Sequence, residues 1–531
     1  MNLSQRIAQQ KSVKSVVDTA PHLIIRARAG TGKTTTLVEG LKVMMGVGST
    51  LTPSAQQQAV WDSLRLSSEV ARSVCMVAFN KSIATTLQER VPRGVEAMTL
   101  HSMGFRAVKT RFGNRLQVNQ YRSSDILSRI TGVDTKRMRA TDPVMVKAVL
   151  ALVDLAKTTL ADTNDEDALR AVADYYGVDM TTDNKKDVSA RVLALVPQVL
   201  EAARDVDNDG CIDFADMVWL PVALDLPFTR YDLLLVDESQ DLSPVQQQIT
   251  RRAGTRLVYC GDDRQAIYGF TGADVGAMSR LQAELEATDR GCTVLPLTVT
   301  RRCGKAIVAE ARTLVRDFEA HEGNPEGTVT RAGYPANVEW EKSYGAMAKS
   351  GDMVLCRTNA PLVKNCFLFL KRNIKATIQG RDIGQGLITT VTKQKVATVG
   401  QLLTAIEAWS ADEQRKERNK KNPSEGKLQA ITDRADCIEA FCGSLKTTDP
   451  VSEVVRIIES IFTDDKTVPG IKLSSIHKAK GQEAHRVFFL EPKGAECPLP
   501  FLVPGTWQHD QDLNCRYVAI TRSITDLVYV S

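Results

Sequence analysis

An α/β fold built on parallel sheet, spread over more than one domain, is what this 531-residue sequence predicts. Three stretches carry that reading. "HLIIRARAGTGKTTTLVEGLKVMM" (22–45) runs as buried strand, Gly-rich turn and amphipathic helix. "YDLLLVDESQDLSPVQQQ" (231–248) is a second apolar strand closed by two acids, and "RLVYCGD" (256–262) is a third. Apolar runs that do not alternate suit strands buried on both faces, as parallel strands are. A chain of this length exceeds what one ordinary core holds.

Composition narrows the class further. Hydrophobic residues make up 43% and charged residues 25%, a globular balance. No apolar run approaches the ~18 residues of a membrane span, so no membrane is expected. The eleven cysteines are scattered, with no CxxC pair and no zinc-ligand spacing. They read as reduced thiols of a cytoplasmic protein, or of a nuclear one if the host is eukaryotic. A net charge of +5 names no partner. Its distribution says more: residues 106–147 hold ten Lys/Arg against three Asp, and residues 148–216 hold six against fifteen Asp/Glu. That suits either one anion-facing surface or two differently charged solvated faces.

In chain order, the first element to carry chemistry is the turn at 27–34, A-R-A-G-T-G-K-T, a P-loop with Ala in place of the first Gly. Backbone N–H groups across Ala29, Gly30, Thr31 and Gly32 can cradle phosphate oxygens at a helix N-terminus. Lys33 supplies a point charge for the β- and γ-phosphates. The Thr34 hydroxyl can ligate Mg²⁺, and Thr35 completes the phosphate turn. At the end of the second strand, Asp237 would hold the Mg²⁺ and Glu238 would orient and deprotonate the attacking water. Together these residues point to NTP hydrolysis.

Between them lies "DVDNDGCIDFAD" (205–216), which has the spacing of a calcium loop. Asp205, Asp207, Asp209 and Asp213 stand at positions one, three, five and nine, and Gly210 at six. Asp216 closes the loop where a bidentate Glu is usual, and no second loop pairs with this one. Helices are expected on both sides, over 189–204 and from 214 onwards. A calcium-regulated binding protein with a switch-like ATP site is therefore one alternative reading.

"VDESQD" followed by "GDDRQAIYGFTGA" (261–273) resembles motifs II and III of the superfamily-one helicases of the UvrD/Rep/PcrA type. Other motifs of that family follow the same order. "VAFNKSIA" (77–84) is similar to motif Ia, "TLHSM" (99–103) to Ib and "LTVTRRC" (297–303) to IV. "IKLSSIHKAKGQEAHRVFFL" (471–490) is similar to V and "NCRYVAITRS" (514–523) to VI. The resemblance implies two RecA-like lobes, each with a mainly helical insertion. The first lobe is expected at 1–102 and 206–279 with its insertion at 103–205. The second is expected at 280–384 and 467–531 with a small insertion at 385–466. It also implies that Asp213–Met217 is the "DFxDM"-like segment that precedes motif II.

The same resemblance implies ATP as the nucleotide and assigns further roles. Gln10 would read adenine; Gln56 and Gln57 look more like that motif in letters but follow the P-loop helix. Gln265 would sense the γ-phosphate, Arg302 and Arg522 would stabilise the transferring phosphoryl group, and Glu483 would contact ribose. Phe79, Tyr268 and Phe270 would stack on bases, with Asn80, Thr99, His101 and His477 as the other DNA contacts. The expected activity is ATP-dependent DNA unwinding with 3′ to 5′ movement on single strands. An alternative is a single-strand translocase that displaces bound proteins with little unwinding. Expected partners are single-stranded and forked DNA and proteins of replication, repair or recombination. A monomer or weak self-association is expected.

Overall fold

A computed structural model of the chain describes residues 20–68, 71–182, 186–269, 272, 276–335, 337–420, 423–465 and 468–531. Two compact units divide between Thr298 and Val299. The first holds a six-stranded sheet of β1 (His22–Ala27), β2 (Val74–Ala78), β3 (Val95–Thr99), β4 (Tyr231–Val236), β5 (Gly254–Gly261) and β6 (Cys292–Leu297). Their order is β3-β2-β4-β5-β1-β6, and all neighbours run parallel. Every residue of β2 is buried, as are the last four of β4, which is why these strands read as apolar runs.

Helices cover both faces. α1 (Lys33–Met44) follows β1, and α2 (Ala55–Arg65) lies on α1. Gly40 of α1 permits that packing: a Cβ there would sit 2.7 Å from Leu64 Cδ1 and 2.8 Å from Trp61 Cδ1. A capping box between Ser54 and Gln57 starts α2. The fully buried Arg256 of β5 ties its far end down, donating to Pro21 O, Ser63 O and Ser67 Oγ. β6 pairs with β1 over six residues, from His22–Cys292 to Ala27–Leu297. The first unit therefore extends past the expected boundary at 279, because this edge strand belongs to its sheet.

α3 (Lys81–Arg90) links β2 to β3. The connection from β3 to β4 is helical: α4 (Leu100–Phe112), α5 (Arg122–Thr131), α6 (Thr135–Thr141), α7 (Pro143–Thr159), α8 (Glu166–Tyr176), α9 (Ser189–Arg204) and α10 (Asp216–Ala223). Val149, Leu152 and Val153 of α7 share one core with Val192, Val196 and Val199 of α9. That core is continuous with Leu234 and Val236 of β4.

The calcium-like stretch folds differently from an EF-hand loop. Val206–Asp209 form a helical turn, and Cys211–Ile212 pair in parallel with Gln117–Val118. The acids are neutralised by protein cations. Buried Arg122 reaches Asp216 at 2.6 Å and Asp209 at 3.1 Å, and buried Lys157 reaches Asp213 and Asp216 at 2.8 Å each. Arg129 also pairs with Asp209, and Arg111 with Asp207. An ion would have to displace both buried cations, which overturns the calcium reading.

The second unit repeats the plan. β7 (Thr328–Ala332), β8 (Met353–Cys356), β9 (Ala376–Ile378), β10 (Ile471–Ser475), β11 (Ala484–Leu490) and β12 (Ser523–Val530) form an all-parallel sheet in the order β7-β12-β11-β8-β10-β9. Between β9 and β10 the described residues form four helices: α11 (Arg381–Lys393), α12 (Val399–Arg418), α13 (Glu425–Cys442) and α14 (Val451–Ile461). Both units are RecA-like α/β lobes.

Candidate active site and nucleic-acid interface

In the first unit β4, β5 and β1 are neighbours, so their C-terminal ends deliver three loops to one edge, where α/β sheets bind ligands. After β1, Gly30 and Gly32 adopt φ values of 69° and 79°, a left-handed conformation that glycine adopts without strain. Gly32 caps α1 without any side-chain hydrogen bond, leaving the first-turn amides to a ligand. Ala29 and Thr31 are buried, and Thr31 Oγ1 donates to Arg28 O at 2.9 Å. Thr35 Oγ1 accepts from Arg90 at 3.4 Å.

The P-loop meets the acids directly. Lys33 Nζ lies 3.0 Å from Glu238 Oε2, and Thr34 Oγ1 donates to Asp237 Oδ2. Burial opposes the charge on Lys33, but Glu238, Asp262 and Asp237 outweigh it and raise its pKa. Burial, and then the neighbouring Glu238, push the Asp237 carboxyl up to about 6. Glu238 adopts a left-handed φ of 54° at the turn after β4, an uncommon conformation for a non-glycine residue. After β5, Gln265 Nε2 donates to Asp262 Oδ2 at 2.6 Å.

Three residues of this edge escaped the motif reading. Gln240 clasps two loops: its Nε2 donates to Glu238 Oε2 at 2.6 Å and its Oε1 accepts from Asp262 N at 3.0 Å. Asp262 is wholly buried and accepts from Arg28 Nη1 at 3.3 Å. Arg28 also pairs with Asp263 at 2.6 Å. The available signal was position, since Asp262 directly ends the third strand.

Next to the acids stand aromatic rings. Phe79, at the end of β2, is 49% exposed and stacks on Tyr268, with ring centroids 5.8 Å apart and planes 13° from parallel. A crevice of about 20 Å³ is lined by Phe79, His101, Asp237, Glu238 and Gln246. One opening thus brings Phe79 and His101 to the same crevice as Asp237 and Glu238. Asn80 and Thr99 serve as helix caps: Asn80 Oδ1 accepts from Ile83 N at 2.9 Å and Thr99 Oγ1 from Ser102 N at 3.1 Å. Burial lowers the pKa of His101. Phe270 lies outside the described residues.

Comparison with known proteins decides the family. The model of the UvrD/REP helicase N-terminal domain matches residues 7–286. The chain belongs to the UvrD/REP helicase family. It is similar to the ATP-dependent DNA helicase UvrD2 of Mycobacterium tuberculosis, 22% identical over 94% of this chain and 75% of the relative. The F-box DNA helicase protein 1 of Schizosaccharomyces pombe is 22% identical over 98% of this chain and 56% of its own length. The RecBCD enzyme subunit RecB of M. tuberculosis is 36% identical over a shorter stretch, 17% of this chain and 8% of its own.

In the second unit of this UvrD/REP helicase, Arg302, Glu483 and Arg522 are brought together. Arg302 Nε pairs with Glu483 Oε2 at 2.5 Å, and its Nη1 approaches Thr521 O at 3.5 Å. Arg522 is buried, donating to Val518 O and Gln482 O at 3.1 Å each. His477 faces Cys515 Sγ at 3.7 Å, and burial pushes its pKa down to about 3. It is therefore a neutral imidazole.

Gln10 lies outside the described residues. Its rivals are committed to protein partners. Gln56 exchanges two hydrogen bonds with Thr298, each of 2.9 Å. Gln57 accepts from Ser54 N and donates to Thr36 Oγ1 at 3.1 Å. Their role in this UvrD/REP helicase is to dock α2 on α1 and on the end of β6.

Proposed function

We propose that this chain is an ATP-dependent DNA helicase that translocates 3′ to 5′ on single-stranded DNA and unwinds duplex. The observation that carries the reading is the crevice shared by Phe79, His101, Asp237 and Glu238. Stacking is sequence-tolerant because every base has a π face, which suits a motor that must pass any sequence. A base seated against Phe79 would move groups that touch the catalytic carboxylates, coupling track to hydrolysis. The polarity rests on family resemblance.

The residues present fit Mg²⁺. The Thr34 hydroxyl and the Asp237 carboxylate, both hard oxygen donors, face each other at the sheet edge. Among the described residues no group of three or more His, Cys, Asp and Glu side chains could hold a metal. That suits an ion shared between few protein ligands and substrate phosphates. When bound, Mg²⁺ supplies Lewis-acid polarisation of phosphoryl oxygens.

The chain's own residues do the rest. Lys33 leaves Glu238 for the phosphate oxygens of ATP, which carry more charge. Glu238, still held by Gln240, is then free to orient water and accept its proton. Gln265, fixed by Asp262, would sense the γ-phosphate from the same edge.

ATP hydrolysis measured with and without single-stranded DNA tests the reading, beside unwinding of forks with a 3′ or a 5′ tail. Stimulated hydrolysis with unwinding from the 3′ tail is expected. Hydrolysis indifferent to DNA would overturn the motor. Stimulation without strand separation, with displacement of a bound protein, would favour the translocase.

A further inference from the structure

The helical insertion of the second unit leaves the sheet through a narrow neck. On the way out, β9 ends at Ile378 and the chain passes through Gln379 and Gly380 into α11. On the way back, Thr463 N donates to Ile378 O at 2.9 Å, and Asp464 accepts from Gly380 N at 3.0 Å and from Arg381 N at 3.3 Å. Entry and exit are thus fastened at one place. Gln379 is buried there, and its main-chain N–H donates to Leu473 O of β10 at 2.9 Å.

Beside the neck stands the turn between β10 and β11, which ends at Glu483. Gln379 and Gln482 join the two. Gln379 Nε2 donates to Gln482 Oε1 at 2.9 Å, and Gln482 Nε2 donates back to Gln379 Oε1 at 2.8 Å. Gln482 Nε2 also donates to Lys478 O at 2.9 Å. A carbonyl only accepts, so this third bond fixes which way both amides face. Hydrogen bonds are directional, so the pair sets a register that apolar contact would leave loose. A second tie, Lys478 to Asp382 at 2.8 Å, joins side chains that are 41% and 66% exposed. Water screens that ion pair, so the amide pair, with Gln379 buried, is the firmer tie.

The main chain of Gln482 gives the pair a consequence. Gln482 O accepts from Arg522 Nη1 at 3.1 Å, and the next residue, Glu483, pairs with Arg302 at 2.5 Å. Arg522 is buried, so its guanidinium has little freedom beyond the carbonyls that receive it. A shift of the Gln482 carbonyl moves Arg522, and a shift of Glu483 moves Arg302. These are the arginines expected to act on the transferring phosphoryl group.

We propose that the Gln379–Gln482 amide pair positions Arg522 and Arg302 for ATP hydrolysis and joins the neck of the insertion to that step. The inference rests on the ATP-motor reading above. Both glutamines are positioning residues, since they act through the arginines.

The test is steady-state ATP hydrolysis by the full chain with saturating single-stranded DNA, beside thermal melting. Gln379→Ala and Gln482→Ala should each lower kcat roughly 10- to 100-fold, the cost of an ångström-scale misplacement, with the KM for ATP unchanged. The double alanine variant should be no slower than either single one, because both remove the same contact. Gln379→Glu with Gln482→Lys should recover most of kcat, since an ion pair restores a directed contact. If the alanine variants melt early, Gln482→Asn carries the test: it keeps an amide but is one methylene too short to exchange both bonds. An unchanged kcat in Gln482→Asn and the alanine variants would overturn the positioning role, whatever their melting temperature. Losses that multiply in the double variant would overturn it too, because the glutamines would then act separately. Failure of the motor reading looks different: the wild-type chain itself would not hydrolyse ATP faster on DNA.

Discussion

Each unit places a helix N-terminus behind a strand of its parallel sheet, and the two ends are treated in opposite ways. In the first unit α1 starts at Gly32 with no side-chain cap, so its amides are open to phosphate. In the second unit the helix Ala360–Leu370 follows β8, and the Asp433 carboxylate of α13 occupies its end. Asp433 accepts from Ala360 N at 2.6 Å and from Asn359 N at 3.0 Å. Both ends satisfy the same electrostatic demand for an anion. One unit fills it from its own helical insertion; the other leaves it for the substrate. The same sheet is thus a nucleotide site or a closed scaffold according to which residue faces one helix end.

The largest test of this contrast is at the open end. Lys33→Ala should abolish ATP hydrolysis, while Glu238→Gln should bind ATP but turn over at least ~100-fold more slowly. Near-normal turnover in Glu238→Gln, read by phosphate release, would remove it from catalysis. A second test asks what the units share. Burial lowers the pKa of His22 in the first unit to about 4 and that of His477 in the second to about 3. Both folded values lie below the unfolded 6.5, so the folded state binds fewer protons. Stability is full above about 6.5 and is lost as pH falls towards 4 and then 3, by roughly 3 kcal/mol for His22 and about 5 for His477. His22→Asn, which keeps an acceptor for Leu257 N, should flatten part of that slope in urea melts between pH 7.5 and 4.5.

At the closed end, Asp433→Ala should cost ~1–2 kcal/mol of stability, as lost caps do. It should leave the KM for ATP unchanged; a raised KM would mean that this end also serves nucleotide. The smallest effect concerns adenine. Gln10→Ala should raise the KM for ATP by the equivalent of ~0.5–1.5 kcal/mol. Gln56→Ala and Gln57→Ala should lower the melting temperature instead. The reverse pattern would place the adenine pocket on α2.

Local chemistry was legible in the letters. A P-loop needs closely spaced glycines, a lysine and a threonine, and "AGTGKT" spells them in the six residues 29–34. Strands buried on both faces announce themselves as apolar runs, so β1, β4 and β5 were expected where they lie. Short-range spacing by itself left two readings open. "DVDNDGCIDFAD" matches a calcium loop because the pattern counts carboxylates along the chain. The cations that neutralise them come from elsewhere: Arg122 stands 94 residues before Asp216, and Lys157 stands 56 before Asp213. Gln240 was in view inside "VDESQD", yet its clasp between Glu238 and Asp262 exists only once β4 lies beside β5. The stacking of Phe79 on Tyr268 likewise needs two strand ends that meet across the sheet. Backbone conformation and periodic burial act over a few residues, so the chain's own order encodes them. Charge neutralisation, aromatic stacking and the choice between an open and a filled helix end depend on distance in space, which folding alone supplies.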